Sequence, residues 1–182
     1  MKYRISLVVL TVLLIAAMVG CASTPAQPAL PDFVLNPPQA DDAIYGVGEA
    51  RLSTVSNSRN AAMARARTDI AFQVNATVQA SLTDYFQEAG VDGGNQVITF
   101  IESVSRQIAD VELRGTRVER TEQGPDGTVY VLLVYPLSNF RQQAEEAFVR
   151  NEDAQFAEFK AQQALAALDA QLANNPPRAG NQ

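Results

Sequence analysis

The amino-acid sequence predicts an α+β fold, in which a small antiparallel sheet packs against one long helix. A helical pattern runs from Asn60 to Ala89 without Gly or Pro, and Gly90 closes it. The turn residues of Gly124–Gly127 separate two β-rich runs, which is typical of a hairpin. A short alternating run precedes the long helix. The predicted order is therefore β-α-α-β-β, followed by a C-terminal helix.

Residues 1–20 are predicted to be a lipoprotein signal peptide. Lys2 and Arg4 precede an uncharged apolar run of fifteen residues, Ile5–Val19. A helix of that length measures about 22 Å, which is short of the roughly 30 Å hydrocarbon core of a bilayer. The run therefore favours a secretory signal over an uncleaved membrane anchor.

The lone cysteine lies directly after this run. Val19-Gly20-Cys21 resembles the lipobox of bacterial lipoproteins. The resemblance implies cleavage between Gly20 and Cys21 and diacylation of the Cys21 sulfur, with palmitate among the expected acyl chains. Two or more chains anchor a protein stably, whereas one does not. Lipoprotein sorting rules send a Cys followed by Ala22-Ser23 to the outer membrane, whereas an Asp there usually retains it at the inner membrane.

Residues 21–40 are predicted to be the lipidated cysteine and a proline-rich tether. Proline fixes φ and removes a hydrogen-bond donor, so the segment favours extended, unpaired backbone. At about 3.1 Å per residue, the tether has a reach of up to roughly 60 Å. The apolar stretch "PDFVLNPP" is an exception, and we expect Phe33 and Leu35 to dock on the domain.

Residues 41–140 are predicted to form the α+β domain. Gly46 and Gly48 in the first strand allow another element to approach closely. Ser56 or Ser58 is the expected N-cap of the long helix. The apolar stripe of this helix is Met63, Ala66, Ile70, Val74, Thr77, Ser81 and Tyr85. Off the stripe, we expect a solvated face with Arg59, Arg65, Arg67 and Asp69, with a patch for an anionic ligand as the alternative.

The second helix and the hairpin complete the predicted domain. Asn95 is a plausible N-cap, and the buried face of this helix is predicted to be Val97, Ile101, Val104 and Ile108. Thr128–Tyr135 is apolar on both faces, which predicts a central strand covered by helices on one side and another segment on the other. The preceding strand carries arginines and reads as an edge strand.

Residues 141–174 are predicted to form a C-terminal amphipathic helix, with Ser138 as the cap, and residues 175–182 a disordered tail. The apolar stripe of this helix either packs back on the domain or contacts a partner, through a protein complex or self-association. The sequence leaves both alternatives open.

The residue inventory argues against catalysis. The chain has no His and one Cys, so it cannot build a Ser-His-Asp or Cys-His arrangement, an imidazole metal site or an internal disulfide. We therefore expect no enzyme, no cofactor and no metal. Without the first twenty residues, 12 basic and 20 acidic residues remain, a net charge of −8 that disfavours nucleic acid.

The first strand reads Tyr-x-Val-Gly-x-Ala, with Tyr45, Val47, Gly48 and Ala50, and an alanine- and arginine-rich helix follows at Ala61–Ala71. With these residues, the region from Pro31 to about Phe140 resembles the LPP-twenty family of small outer-membrane lipoproteins. Phe33 stands where this family often has Trp. The resemblance implies a fold similar to the amino-terminal domain of flagellar assembly protein T, and surface or periplasmic exposure. It also implies association with envelope or flagellar components in some members, and no catalytic residues.

Three functions remain as hypotheses. The first is a non-enzymatic, lipid-anchored binding or assembly module of the outer membrane that faces the periplasm. The second is a carrier of small anions or other small ligands, with a cavity between helix and sheet and with Arg65, Arg114 and Arg120 as ligand contacts. The third is a carboxylate hydrolase using pairs such as Glu145–Glu146 or Asp41–Asp42. It ranks last because neighbouring helical residues point about 100° apart.

Overall fold

The computed structural model describes residues 30–91, 94–110, 113–152 and 159–179. The predicted signal peptide, its cleavage site and Cys21 lie outside these residues. The helices are α1 (Asp32–Leu35), α2 (Val55–Glu88), α3 (Asn95–Asp110), α4 (Leu137–Glu152) and α5 (Ala161–Asn174). The strands are β1 (Ala43–Ala50), β2 (Arg117–Gln123) and β3 (Val129–Pro136).

The three strands form one antiparallel sheet in the order β1-β3-β2, which confirms the predicted α+β fold and element order. The register between β1 and β3 runs from Ala43 opposite Pro136 to Ala50 opposite Val129. Alternate residues point to opposite sides. The helix face comprises Ile44, Gly46, Gly48, Ala50, Val129, Val131, Leu133 and Tyr135. The leader face comprises Tyr45, Val47, Tyr130, Leu132 and Val134.

Helix α2 lies directly on the helix face. A Cβ at Gly46 would collide with the backbone oxygen of Ala66, and one at Gly48 with that of Ala62. These glycines therefore permit the close helix–strand approach that the sequence predicts. Strand β3 is buried along almost its whole length, which confirms a central strand covered on both faces.

The ends of α2 follow local hydrogen bonding. The predicted cap at Ser56 or Ser58 is wrong, because the Thr54 hydroxyl accepts from the Asn57 N–H at 3.2 Å. The buried Ser58 hydroxyl instead donates to the Thr54 carbonyl at 2.9 Å. At the other end, Gly90 has φ 67°, a left-handed conformation that suits glycine and ends the helix.

The other helices begin earlier than predicted. Asn95 is the first residue of α3, and the carbonyl of Gly94 accepts the first backbone hydrogen bonds. Ser138 lies inside α4, because β3 leads directly into this helix and the Leu137 N–H donates to the Asp42 carbonyl at 2.8 Å. The predicted buried face of α3 is confirmed: Val97, Ile101, Val104 and Ile108.

The region predicted as one helix, residues 141–174, contains two. Lys160 is extended, and its N–H donates to the hydroxyl of Tyr85 at 3.0 Å. Phe159 is fully buried beside the Phe100 ring, with a centroid distance of 4.9 Å. Ala164 and Leu168 of α5 are also fully buried in the main core. The apolar stripe therefore packs back on the domain.

None of the helices that the structure describes has the length and hydrophobicity needed to cross a bilayer.

Candidate functional site

The proline-rich leader folds back over the leader face of the sheet. The Asp32 carbonyl accepts from the Asn36 N–H at 2.7 Å, which closes the single turn of α1. Phe33 is 1% exposed and packs with the buried side chains of Tyr130 and Leu132. The prediction for Phe33 is therefore confirmed. The leader is part of the folded unit from Pro31 onward.

Leu35 does not dock, and this half of the prediction is wrong. Its side chain is 62% exposed. Two residues along a helix correspond to a rotation of about 200°, so α1 cannot bury both Phe33 and Leu35 against one surface. The turn instead presents an aromatic ring to the sheet and an aliphatic side chain to the outside.

Arg120 covers the docked ring from strand β2. Its guanidinium carbon lies 5.4 Å from the centroid of the Phe33 ring, and its Nη2 donates to Glu122 Oε1 at 2.9 Å. The register of β2 shifts between Val118 and Arg120, which places Arg120 opposite Leu132 of the leader face. Bulges commonly redirect a side chain in this way. Arg120 therefore contacts the leader and Glu122 of its own chain.

The outer edge of β1 is covered by polar side chains of α2. Three of them, spaced four residues apart, bond to backbone groups of three strand residues spaced two apart. The bonds run from Val47 N to Asp69 Oδ2 (3.0 Å), from Gln73 Nε2 to Tyr45 O (2.8 Å) and from Arg65 Nη1 to Glu49 O (2.7 Å). The two spacings match because four residues along a helix and two residues along a strand both advance about 6 to 7 Å. Asp69 is 8% exposed, so its prediction as a solvated residue is wrong.

This arrangement hides hydrogen-bonding groups that an edge strand normally offers to other chains. Beside it, an open groove of about 510 Å³ separates the leader from α2. Its lining combines apolar, cationic and acidic side chains: Val34, Pro37, Val47, Gly48, Glu49, Arg65, Thr68 and Asp69. The groove therefore lacks the cationic surplus that an anion site needs.

The structure does not bring the three predicted ligand contacts together. Arg65 lies at the β1 edge, whereas Arg120 lies on β2, and β3 separates these strands by about 10 Å. Arg114 is exposed before β2, where its carbonyl accepts from Asn139 Nδ2 at 3.1 Å. Between α2 and the sheet, the described residues form a packed layer of apolar side chains that includes Ile44, Ile70 and Val131.

The adjacent carboxylates Glu145 and Glu146 are engaged with neighbouring side chains. Glu145 pairs with Arg141 at 3.7 Å, and Glu146 accepts from Gln142 at 3.2 Å. Arg141 also forms a bidentate pair with Asp169 at 2.9 and 3.0 Å, which joins α4 to α5 and raises the pKa of the guanidinium. Within the described ranges, no cluster of three or more His, Cys, Asp or Glu side chains could hold a metal ion.

Two further pKa shifts have structural causes. The Thr128 hydroxyl and N–H donate to Asp126 in the hairpin turn and lower the pKa of its carboxyl. Burial raises the pKa of the Tyr135 hydroxyl, which lies on the helix face. These groups lie in a surface turn and in the core, so the shifts do not mark an acid–base pair in a cleft.

The fold and this site define a small α+β unit whose own proline-rich leader covers one face of its sheet. The model of the LPP20 lipoprotein family matches residues 31–135, more than half of the chain. The chain belongs to this family, as the resemblance in β1 and α2 indicates, and is therefore a lipoprotein of the cell envelope. The match begins at the docked leader and ends within β3. No curated protein and no solved structure matches the chain.

Proposed function

We propose that this protein is a non-enzymatic lipoprotein, anchored in the outer membrane by acyl chains on Cys21 after cleavage between Gly20 and Cys21. Its domain faces the periplasm and serves as a binding or assembly module. The observation that carries this proposal is the match to a lipoprotein family, beginning ten residues after the lone cysteine.

Several features of the sequence support the anchor. Cys21 follows a short apolar run with basic residues before it and small residues around the cleavage site. Ala22 and Ser23 after it fit the sorting signal for the outer membrane rather than inner-membrane retention. Two or more acyl chains supply the stable membrane affinity that one chain does not.

A binding or assembly role fits the structure better than transport of a small anion. Of the predicted anion contacts, Arg65 bonds to the Glu49 carbonyl, and Arg120 pairs with Glu122 beside Phe33. The groove next to Arg65 also carries carboxylates. We therefore expect the partner to contact the outer surface of the domain.

Replacing the anchor residue tests this function. Cys21→Ser removes the acylated sulfur and is expected to leave an uncleaved precursor without palmitate, measured by metabolic labelling and intact mass. Ser23→Ala is the matched control, which keeps Cys21 and loses only a neighbouring hydroxyl. It should be processed normally. Normal processing of Cys21→Ser, or a wild-type chain without lipid, would contradict the proposal.

The outer-membrane location has its own test. Ala22→Asp places an acidic residue directly after the acylated cysteine and is expected to move the mature lipoprotein to the inner-membrane fraction. Separation of the two membranes on a density gradient measures this shift. If wild type and Ala22→Asp are found in the same fraction, the proposed sorting is wrong.

A further inference from the structure

We propose that the docked leader and the adjoining strand β2 form the surface that lies against the lipid headgroups of the anchoring membrane. In this orientation, Leu30 and Leu35 enter the interfacial region and Arg117 contacts a lipid phosphate. The inference rests on the proposed acylation of Cys21 and goes beyond it, because an anchor alone does not orient a domain.

The connection between Cys21 and the folded unit is short. If residues 21–40 were all free tether, the domain could lie up to roughly 60 Å from the bilayer. The structure places Pro31 and α1 on the sheet, so at most nine peptide units separate Cys21 from Leu30. Fully extended, nine units span about 30 Å. A domain of this size has a radius of gyration of about 15 Å, so the tether keeps the entry point within about one domain diameter of the membrane.

The chain enters the folded unit on the leader face of the sheet. Pro31 directly precedes α1, and Phe33 of α1 packs against the leader face beside Arg120. Helix α2 packs on the helix face, on the other side of the sheet. The connection to Cys21 therefore leaves from the leader face, and this face is the side turned towards the bilayer.

The outer side of the docked leader carries exposed aliphatic side chains. Leu30 is 42% exposed and Leu35 is 62% exposed, and Leu35 points away from the sheet because Phe33 points into it. Aliphatic side chains in this position gain free energy by entering the boundary between headgroups and acyl chains. The leader is therefore apolar both towards the sheet and towards the outside.

The leader face also carries an exposed cationic side chain. Arg117 lies opposite Val134 on the leader face and is exposed. The chain without its first twenty residues has a net charge of −8, so an exposed cation on this face runs against the overall charge. Guanidinium groups bind phosphate oxygens in bidentate geometry. Exposed carboxylates at Asp32 and Glu119 lie on the same two elements, so this surface has no net positive charge. The contact therefore depends on the Arg117 guanidinium itself.

The lone cysteine makes the test direct, because acylation of Cys21 leaves no other thiol in the mature chain. The variants are Leu35→Cys and, as a matched control, Phe72→Cys. Phe72 is 55% exposed on α2. Each mature lipoprotein is labelled with an environment-sensitive fluorophore and reconstituted into phosphatidylethanolamine–phosphatidylglycerol vesicles. Iodide quenches labels in water, and brominated lipids quench labels in the bilayer.

We expect brominated lipids to quench the Leu35 label several-fold more strongly than the Phe72 label, and iodide to show the reverse. Adding Arg117→Glu should weaken lipid quenching at position 35. Arg67→Glu, an exposed charge reversal on α2, should not. Equal iodide quenching of both labels would overturn the orientation. So would a Leu35 label that neither quencher reaches, since a second copy of the chain would then cover this surface.

Intact mass separates the two proposals. A chain that carries acyl groups and one fluorophore, but shows no preferential lipid quenching at position 35, overturns the orientation alone. A chain that carries two fluorophores has a free Cys21 thiol, which overturns the lipid anchor and the orientation together.

Discussion

The two faces of the sheet are built in different ways from the same strands. The helix face lies in a large core to which α2, α3, α4 and α5 all contribute buried side chains. The leader face is covered by a single short turn, and its buried cluster in the described residues consists of Phe33, Tyr130 and Leu132. The comparison indicates that the helix face supplies most of the buried core, whereas the leader face fixes the proline-rich leader.

The two faces also differ in the kind of contact on which they depend. On the helix face, backbones approach each other closely, so the fit requires the absence of a side chain at Gly46 and Gly48. On the leader face, one aromatic ring fills the contact and one guanidinium covers it. A substitution on the helix face should therefore unfold the domain, and one on the leader face should release the leader from a folded domain.

The largest effect is expected at Gly48. Gly48→Val puts a branched side chain into the backbone of Ala62 and Ala66, which cannot move without displacing α2. Because the collision is with backbone, we expect a cost above the roughly 3 kcal/mol at the upper end for ordinary overpacking, and loss of most of the cooperative urea transition measured by circular dichroism. Gly94→Ala is the control, because a Cβ there has no neighbour within 4 Å. An unchanged urea midpoint for Gly48→Val would contradict the claim that the fold depends on the close fit at the helix face.

A smaller effect is expected at Phe33. Phe33→Ala should lower the free energy of unfolding by about 3 kcal/mol, at the low end for a buried Phe, because the leader can detach instead of leaving a cavity. The remaining domain should still unfold cooperatively, and limited proteolysis should cut the leader faster. Leu35→Ala, two residues away and exposed, should change stability by less than about 0.5 kcal/mol. Equal stability of the two variants would show that Phe33 does not hold the leader.

The smallest effect is expected at Arg120. Arg120→Ala removes the guanidinium over the Phe33 ring and should cost about 0.5 to 1 kcal/mol, the usual size of an exposed cation–π contact. Its ion pair with Glu122 is exposed and adds little. Combined with Phe33→Ala, the cost should largely disappear, because the contact no longer exists. Additive losses in this double-mutant cycle would assign Arg120 another role.

The fold could be predicted where the signals are local. Residue spacing and turn chemistry predict the apolar stripe of α2, the close approach at the glycines of β1, and the hairpin between β2 and β3. The break before α5 could not be predicted from local signals, because residues 139–174 contain no Gly or Pro. It follows from a non-local contact: Phe159 enters a ring cluster with Tyr85 and Phe100, and a continuous helix of that length would extend beyond the core.

The candidate site was predicted less well. The docking of Phe33 follows from an apolar residue in a proline-rich leader, but the exposure of Leu35 depends on the turn that α1 forms. Asp69 was missed, although Arg65, Asp69 and Gln73 recur every four residues beside the apolar stripe, a signal for an edge-covering row. The position of Arg120 over the leader depends on the register shift in β2. No residue type in that strand predicts this shift.

The central claim is that Phe33 fixes the leader to the sheet. The most direct measurement is the nuclear Overhauser effect between the Phe33 ring protons and the Leu132 methyl groups, in the full-length lipoprotein reconstituted in nanodiscs. We expect clear cross-peaks and upfield-shifted Leu132 methyl resonances that return towards ordinary values in Phe33→Ala. Leu132 resonances that are identical in wild type and Phe33→Ala, without cross-peaks to the ring, would contradict it.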